Sequence, residues 1–376
     1  MVAGEASGDT LGSDLIRSLK ARYPDAQFVG IGGPKMISLG FESWFPMEKL
    51  SVMGFFEVMK HLFSLLKIRK SLIQQLIDLK PDVFIGVDAP DFNFKVESEL
   101  KKQGITTVHY VGPSVWAWRE KRLKKIHHSV DGVLVLFPFE PDYYHRYSIP
   151  VKFVGHPLAN EFPEQPDTYH ARELLKINPS LAVTAILPGS RMSEVELMAD
   201  VYVQSAKLLS EIYPDMQYLI PCVHERARLR IEQAVKHFGS GLNIKLVDGQ
   251  SRTVLEACDQ ALVTSGTATL ESALMKKPLV LAIKVHPISY WIMKRLATTQ
   301  WIGLPNILAN ESLVTELIQD DANPQNIALQ MGRLIMDTRL RAKQIKAFDL
   351  QYHALKQNAS ELAADAIEDW AQLNGR

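Results

Sequence analysis

The segment VTSGTATLE, residues 263–271, sets one glycine among hydroxyl side chains, directly after an apolar run and ahead of a helical pattern, with a carboxylate about a turn later. A helix N-terminus offers unpaired N–H groups and the positive end of its dipole, and glycine permits close approach, so Gly266 and Thr267 suit a phosphate. Glu271 could then accept hydrogen bonds from both hydroxyls of a ribose. The same residues also serve ordinary capping, by Ser265 or Thr267, with Glu271 complementing the dipole. LPGSR, residues 187–191, closes another apolar run: Gly189 and Ser190 offer backbone amides, Arg191 offers a guanidinium fork, and Glu194 and Glu196 follow. Neither turn continues into Gly-Lys-Ser/Thr, and GIGGPK at 30–35 departs from a dinucleotide fingerprint at Pro34 and Lys35, which leaves little support for hydride chemistry.

Other stretches carry different chemistry. GVDAPDFN, residues 86–93, ends an apolar run with Asp88, where an open sheet places a general base, and Asn93 could orient a substrate hydroxyl. Either acid also reads as a turn former. GEASGD, residues 4–9, heads an amphipathic helix; its small residues imply close backbone approach, or a tight turn capped by Ser7 or Asp9. In HYVGPSVWAWREKRLKKIHH, residues 109–128, Trp116 and Trp118 stand beside Arg119, Lys121, Arg122, Lys124 and Lys125. That suits a phosphate, a sugar face or a lipid interface, and equally a solvated basic helix behind a buried aromatic pair. Residues 50–70 carry Val52, Phe55, Phe56, Met59, Leu62, Phe63 and Leu66 at helical spacing, either a core stripe or a segment lying in a lipid interface. His127 and His128 are not spaced as a metal pair, and His109, His156 and His286 sit alone, so no metal is expected.

These residues need a frame, and the composition allows a large one. At 376 residues the chain exceeds a usual single core, and 47% hydrophobic with 22% charged residues is that of a soluble globular protein. Lys plus Arg and Asp plus Glu balance at 42 each, so no global field points to nucleic acid. Cys222 and Cys258 form no metal or disulfide pattern and fit a reducing cytosol. The N-terminus does not read as a secretory signal, and no segment reaches the length of a spanning helix. Short β-rich runs at 27–31, 82–87, 106–110, 132–136 and 151–154 alternate with helical patterns, and after a polar stretch at 160–180 a second series follows at 183–187, 217–220, 244–247, 261–263 and 279–283. Two successive doubly wound α/β halves follow, with a ligand at the carboxyl ends of their strands. The expected bounds are 1–160 for the first domain and 161–345 for the second. Residues 346–376 form a helical tail that packs on the first domain or on a partner subunit. Only residues 1–3 remain for a strand feeding GEASGD, so either that strand is very short or a natural start lies upstream.

Taken in order, AGEASGD, GIGGPKM, VDAPDFN, HYVGPSVWAWR, FVGHP, LPGSR, SGTATLE and LPNILA, spread over residues 3–309, resemble the lipid-A-disaccharide synthase family. The resemblance implies the GT-B glycosyltransferase architecture, two Rossmann-like domains facing a central cleft, with the sugar nucleotide on the second. It implies an inverting, cofactor-free transfer from UDP-2,3-diacylglucosamine to lipid X, 2,3-diacylglucosamine 1-phosphate. The products would be UDP and a β-1,6-linked disaccharide, made on the cytoplasmic face of the inner membrane of a Gram-negative bacterium. By matching motifs, Glu271 would hold the ribose, Gly266 and Thr267 the diphosphate, and Arg191 the charge developing on UDP, with Asn306 of LPNILA near the nucleotide. Asp88 matches the acid usually proposed as base, with Glu5, Ser7 and Asn93 on the acceptor side. The chain has no D-x-D pair for a divalent ion. Acyl-chain substrates favour the lipid reading of Phe55, Phe56, Met59 and Phe63. Two departures stand out: Gly112 where serine is common, and Ile283-Lys284 in place of a more usual aromatic-basic pair. A UDP-sugar epimerase of the same architecture and a non-catalytic lipid- or nucleic-acid-binding protein are the rival readings. The oligomeric state stays open, a homodimer included.

Overall fold

A computed structural model describes residues 1–50, 55–118, 122–264 and 266–373, without the side chains of 55–62, Trp118 and Ile292. The chain forms two compact units, Met1–Pro157 with Leu355–Arg376, and Leu158–Ala354.

In the first unit β1 (Val2–Ala3), β4 (Val83–Val87), β5 (Thr106–Tyr110), β6 (Gly132–Val135) and β7 (Val151–Phe153) make one parallel sheet in the order β1-β4-β5-β6-β7. The inner strands β4 and β6 are near-continuous apolar runs, as expected where both faces of a parallel sheet are covered. Between β1 and β4 the short β2 (Val29–Gly30) and β3 (Glu42–Ser43) pair with each other. Brief as it is, β1 is fully buried and held from both sides. Its Val2 pairs with Gly86 and bridges to Ile31, and the Ala3 N–H donates to the Ile31 carbonyl at 2.8 Å. The chain therefore passes one side of β1 at Ile31 and returns on the other as β4.

Three helices among those packed on this sheet bear on the site and the tail. Helix Ala6–Arg22 buries Leu11, Leu15, Ile16 and Leu19; the later part of helix Phe55–Leu79 buries Ile68, Leu72 and Leu76; helix Ala359–Ala371 buries Ala363, Ala364 and Ile367. Arg22 pairs with Glu361, Asp365 and Glu368 and so fastens the first of these helices to the last. The tail also needs a missing side chain: a Cβ on Gly132 would lie 2.1 Å from the Trp370 ring.

In the second unit β8 (Val183–Leu187), β9 (Gln217–Cys222), β10 (Asn243–Asp248), β11 (Gln260–Val263), β12 (Leu279–Ile283) and β13 (Thr315–Ile318) form a parallel sheet in the order β10-β9-β8-β11-β12-β13. The chain winds from β8 to one edge, then restarts beside β8 as β11 and winds to the other. Helix Met192–Ser210 covers the sheet with Val195, Met198, Ala199, Tyr202 and Val203. Among the described residues no helix is long and apolar enough to cross a membrane.

Gly132→Ala should push the Trp370 ring off β6 and cost about 1–3 kcal/mol, the usual range for overpacking. Urea unfolding followed by Trp fluorescence measures it; an unchanged midpoint would mean that the tail does not depend on this contact.

Candidate active site

Ligands of doubly wound sheets sit outside the carboxyl ends of the strands where strand order reverses, because the two flanking loops part there and leave a crevice. The first unit reverses between β1 and β4, so the turns that follow them are GEASGD and VDAPDFN. Gly4 brings these turns together, and Gly8 lets the helix start lie close on β1. A Cβ on Gly4 would stand 2.9 Å from the Ala89 Cβ, and one on Gly8 would stand 3.3 Å from the Ala3 Cβ. Asp88 and Ala89 both take left-handed backbone conformations, at φ 53° and 43°, which cost roughly 1–3 kcal/mol each in residues other than glycine. The turn is held against that cost: the Asp88 N–H donates to the Tyr110 carbonyl at 2.8 Å, and the Asn93 Nδ2 donates to the carbonyls of Asp88 at 2.8 Å and Val2 at 3.3 Å. Asp88 is half-buried while Glu5 and Ser7 are exposed on the adjacent turn. Asn93 is fully buried. It braces the Asp88 turn from below through its Nδ2, while its Oδ1 has no partner among the described residues.

Asp9, read from sequence as a cap for its own helix, caps another element. Its carboxylate accepts from the N–H groups of Gly33, Lys35 and Met36, each at 3.0 Å, and so fixes the GIGGPKM turn. Trp116 is buried, donates from Nε1 to the Glu140 carboxylate at 3.1 Å, and meets Phe139 edge-on at a centroid distance of 5.1 Å. The sequence reading of this tryptophan as a buried aromatic thus describes its place; the Trp118 side chain, Arg119 and Lys121 lie outside the described residues. Gly112 has a local cause: a Cβ there would lie 2.5 Å from the Tyr144 hydroxyl. In the lipid-interface stretch, Phe63 is 77% exposed and Leu66 40%. Val52 and the side chains of Phe55, Phe56, Met59 and Leu62 lie outside the described residues.

The second unit reverses between β8 and β11, which pair directly, Leu187 opposite Val263. LPGSR and TSGTATLE are the turns that follow them. Gly189, at φ +112°, accommodates Glu194: a Cβ would be 2.4 Å from its Oε2. The Glu194 carboxylate accepts from the N–H groups of Ser190 at 3.0 Å and Arg191 at 3.3 Å, so these amides are satisfied internally, as in a capping box. Arg191 opens helix Met192–Ser210 with its side chain 82% exposed and its guanidinium 3.6 Å from Glu194. Of that turn, Ser190 and the Arg191 guanidinium face outward.

Across the gap, helix Gly266–Leu274 begins with Gly266 half-buried and Thr267 exposed; Ser265 lies outside the described residues. Among the described residues a Cβ on Gly266 would meet only the Ile302 carbonyl, at 3.5 Å, so their packing does not demand a glycine here. The backbone at Gly266 is open to close approach. Glu271 is half-buried, and burial raises its pKa, opposed by Arg252 and reinforced by Glu161. No described residue donates a hydrogen bond to its carboxylate, which therefore has acceptor capacity to offer. Asn306 is fully buried and already saturated: its Nδ2 donates to the Val314 carbonyl and to Glu316, and its Oδ1 accepts from the N–H groups of Leu313 and Val314. It shapes the LPNILA turn, which the Leu304 N–H ties to the Thr269 hydroxyl at 3.2 Å. Sequence reading passes over Glu316, whose carboxylate also takes the N–H groups of Ile302 and Gly303, and Tyr202, whose hydroxyl meets Thr264 and the Ala282 carbonyl at 2.7 Å each.

The family profile described as Lipid-A-disaccharide synthetase matches residues 1–369. The chain is 62% identical over 373 residues to the lipid-A-disaccharide synthase of Hydrogenovibrio crunogenus, covering 99% of each. It is 47% identical over 368 residues to that of Methylobacillus flagellatus, covering 98% of this chain and 97% of the other. Among solved structures, a glycosyltransferase from Rickettsia africae superimposes with a TM-score of 0.60 at 13% identity, over 99% of this chain and 97% of that one. The UDP-GlcNAc 2-epimerase of Neisseria meningitidis bound to UDP-GlcNAc does so with 0.58 at 15% identity, over 96% of this chain and 97% of that one. At such identities the structures speak for the fold alone, and that fold is the GT-B architecture of parallel α/β units.

Gly189→Ala should force Glu194 off the Ser190 and Arg191 amides and lower stability by about 1–3 kcal/mol, as strained left-handed positions do; a melting temperature equal to the parent's would contradict this. A pH effect follows from Glu140, which burial pushes up to about 7 against hydrogen bonds from the Phe137 and Leu136 amides and Trp116. Between 4.5, its ordinary value, and about 7 the unfolded chain loses this proton while the folded protein keeps it. Unfolding free energy should therefore fall across that window as pH rises, by up to about 3 kcal/mol. Glu140→Gln should flatten that slope in urea titrations, and an identical slope would contradict the assignment.

Proposed function

The chain belongs to the lipid-A-disaccharide synthase family and is a glycosyltransferase that forms the lipid A disaccharide, and from that premise we propose how its residues divide the work. The donor is UDP-2,3-diacylglucosamine, bound by the second unit; the acceptor is 2,3-diacylglucosamine 1-phosphate, bound beside Asp88 on the first. What supports this division is that each unit carries one pair of its expected turns at its own strand-order reversal.

Glu271 accepts from the ribose hydroxyls, which relieves a half-buried carboxylate that lacks donors. The diphosphate lies on the N-terminus of helix Gly266–Leu274 at Gly266 and Thr267, with Gly189 and Ser190 forming the opposite wall. There the dipole meets the charge, and Arg191 swings from solvent to cover the remainder. UDP departs only if this charge is stabilised, and fixed dipoles with a guanidinium accomplish that without reorganisation. Asn306 positions the neighbouring turn from inside.

On the first unit Asp88 takes the proton of the acceptor 6-hydroxyl as its oxygen bonds to the anomeric carbon. The bond from that carbon to the diphosphate oxygen breaks on the opposite face, its electron pair leaves with UDP, and the anomeric centre inverts to give the β-1,6 linkage. Glu5 and Ser7 line the acceptor side, while Asn93 keeps the Asp88 turn in its left-handed form. The helix beginning at Phe55 rests on the cytoplasmic face of the inner membrane; the exposure of Phe63 and Leu66 supports this contact.

Positioned general bases contribute ~10²–10⁴-fold, so Asp88→Asn should lower turnover by about that factor, with UDP affinity and the melting curve unchanged. UDP release measured with donor alone and with donor plus acceptor should show production only when both are present. Release without acceptor, or full turnover in Asp88→Asn, would contradict the reading.

A further inference from the structure

Between β12 and helix Leu304–Ala309 the chain makes an excursion that none of the roles above employs. Both ends are clamped. The Val285 N–H donates to the Gln319 side-chain carbonyl at 2.8 Å, and the Gln319 amide returns a bond to the Val285 carbonyl at 3.1 Å. At the other end Glu316 takes the N–H groups of Ile302 and Gly303, at 2.9 Å each. What lies between is unusually bare. From His286 to Thr298 every described side chain is exposed except that of Tyr290. Helix Pro287–Leu296 includes Ile288, Trp291, Met293 and Leu296, exposed by 66%, 56%, 45% and 44%.

Scattered exposed apolar residues need no cause, but an aromatic and three aliphatics on one short helix form a patch that does. The charges say what covers it. Each cation of this helix lies over an aromatic ring, Arg295 at 4.1 Å from the Trp291 centroid and Lys294 at 5.9 Å from that of Tyr290. The sequence has no Asp or Glu between Glu271 and Glu311, so nothing within the excursion repels an anionic surface. Trp and Tyr with Lys and Arg bordering aliphatic residues is the composition of a helix lying at a membrane interface. A protein partner's apolar groove would not call for an absence of acidic residues extending well beyond the helix.

We propose that helix Pro287–Leu296 is a lipid-surface contact of the nucleotide-binding unit. Ile288, Trp291, Met293 and Leu296 enter the boundary between headgroups and acyl chains of an anionic bilayer, and Lys294 and Arg295 pair with its phosphates. The placement rests on the donor role assigned to this unit. The excursion returns at Ile302, whose carbonyl is 3.5 Å from where a Gly266 Cβ would lie, so the segment that carries this helix ends at the turn assigned to the donor's diphosphate. This contact is separate from the helix beginning at Phe55, which belongs to the other unit.

Both native cysteines, Cys222 and Cys258, are buried, so Ile288→Cys in the full chain offers one accessible thiol for a nitroxide label. On adding vesicles of phosphatidylethanolamine and phosphatidylglycerol, collisions of the label with oxygen should rise, and those with a water-soluble nickel chelate should fall roughly threefold or more, as expected for a side chain at interfacial depth. A label at Glu211→Cys should stay accessible to the chelate. Lys294→Glu with Arg295→Glu should reduce the shielding at 288. The proposal is overturned by a label still open to the chelate on vesicle-bound protein, or by no vesicle binding at all. It is equally overturned by shielding that appears without vesicles, whether through soluble donor or through self-association at high protein concentration. UDP calorimetry on the labelled protein separates the two readings: absent UDP affinity with a shielded label would remove the donor role and leave the membrane contact standing.

Discussion

A parallel sheet that is wound first to one edge and then to the other leaves one gap at its carboxyl end, between the two strands where winding restarts. This chain has two such sheets, and the gap falls between β1 and β4 in one and between β8 and β11 in the other. Everything chemical in the molecule depends on that constraint. The residues that could activate a hydroxyl follow β1 and β4, and those that could hold a nucleoside diphosphate follow β8 and β11. Because the sheets are buried on both faces, their registers are fixed by packing, and the turns inherit that rigidity. A base or a cation on such a turn is presented without the entropy cost of ordering a free loop.

The two nucleotide-side turns are not equivalent, and the difference is electrostatic. At LPGSR the Glu194 carboxylate already sits on the amides that an anion would use. Two like charges about 4 Å apart repel by about 4 kcal/mol at an effective dielectric of 20, so a phosphate cannot share that position unless Arg191 stands between. Among the described residues no such carboxylate lies on the first turn of helix Gly266–Leu274, so none opposes its dipole there. That asymmetry favours the proposed seat for the diphosphate at Gly266, with the exposed Arg191 as its counter-charge. Glu194 keeps that arginine near without burying it. The acceptor-side turn solves a different problem, holding two left-handed residues at Asp88 and Ala89 with a buried asparagine and one sheet hydrogen bond.

Much of this was legible beforehand, for identifiable reasons. Apolar runs at 183–187, 217–220, 261–263 and 279–283 mark buried parallel strands, 244–247 marks a half-buried edge strand, and the turns after β8 and β11 announce themselves by glycine and hydroxyls. β13 escaped because TELI carries a polar pair, and its Glu316 matters through bonds to Ile302, Gly303 and Asn306 that only the folded chain brings within reach. Asn93 and Asn306 look like surface ligands in sequence, since asparagine is usually exposed, yet both are fully buried and brace turns. Asp9 caps residues 33–36 and not its own helix for a similar reason: a cap is recognised locally, whereas this one acts across more than twenty residues of chain. The bare helix Pro287–Leu296 carries a periodic pattern that any core helix would share; only its exposure in the fold separates it from one.

Amide hydrogen exchange on the full chain, with and without saturating UDP, addresses the central claim most directly. Protection should concentrate on the first turn of helix Gly266–Leu274 and on residues 189–192, with the GEASGD and VDAPDFN turns unaffected. Protection centred on the first unit, or none at either turn after β8 and β11, would contradict the placement of the nucleotide at that reversal.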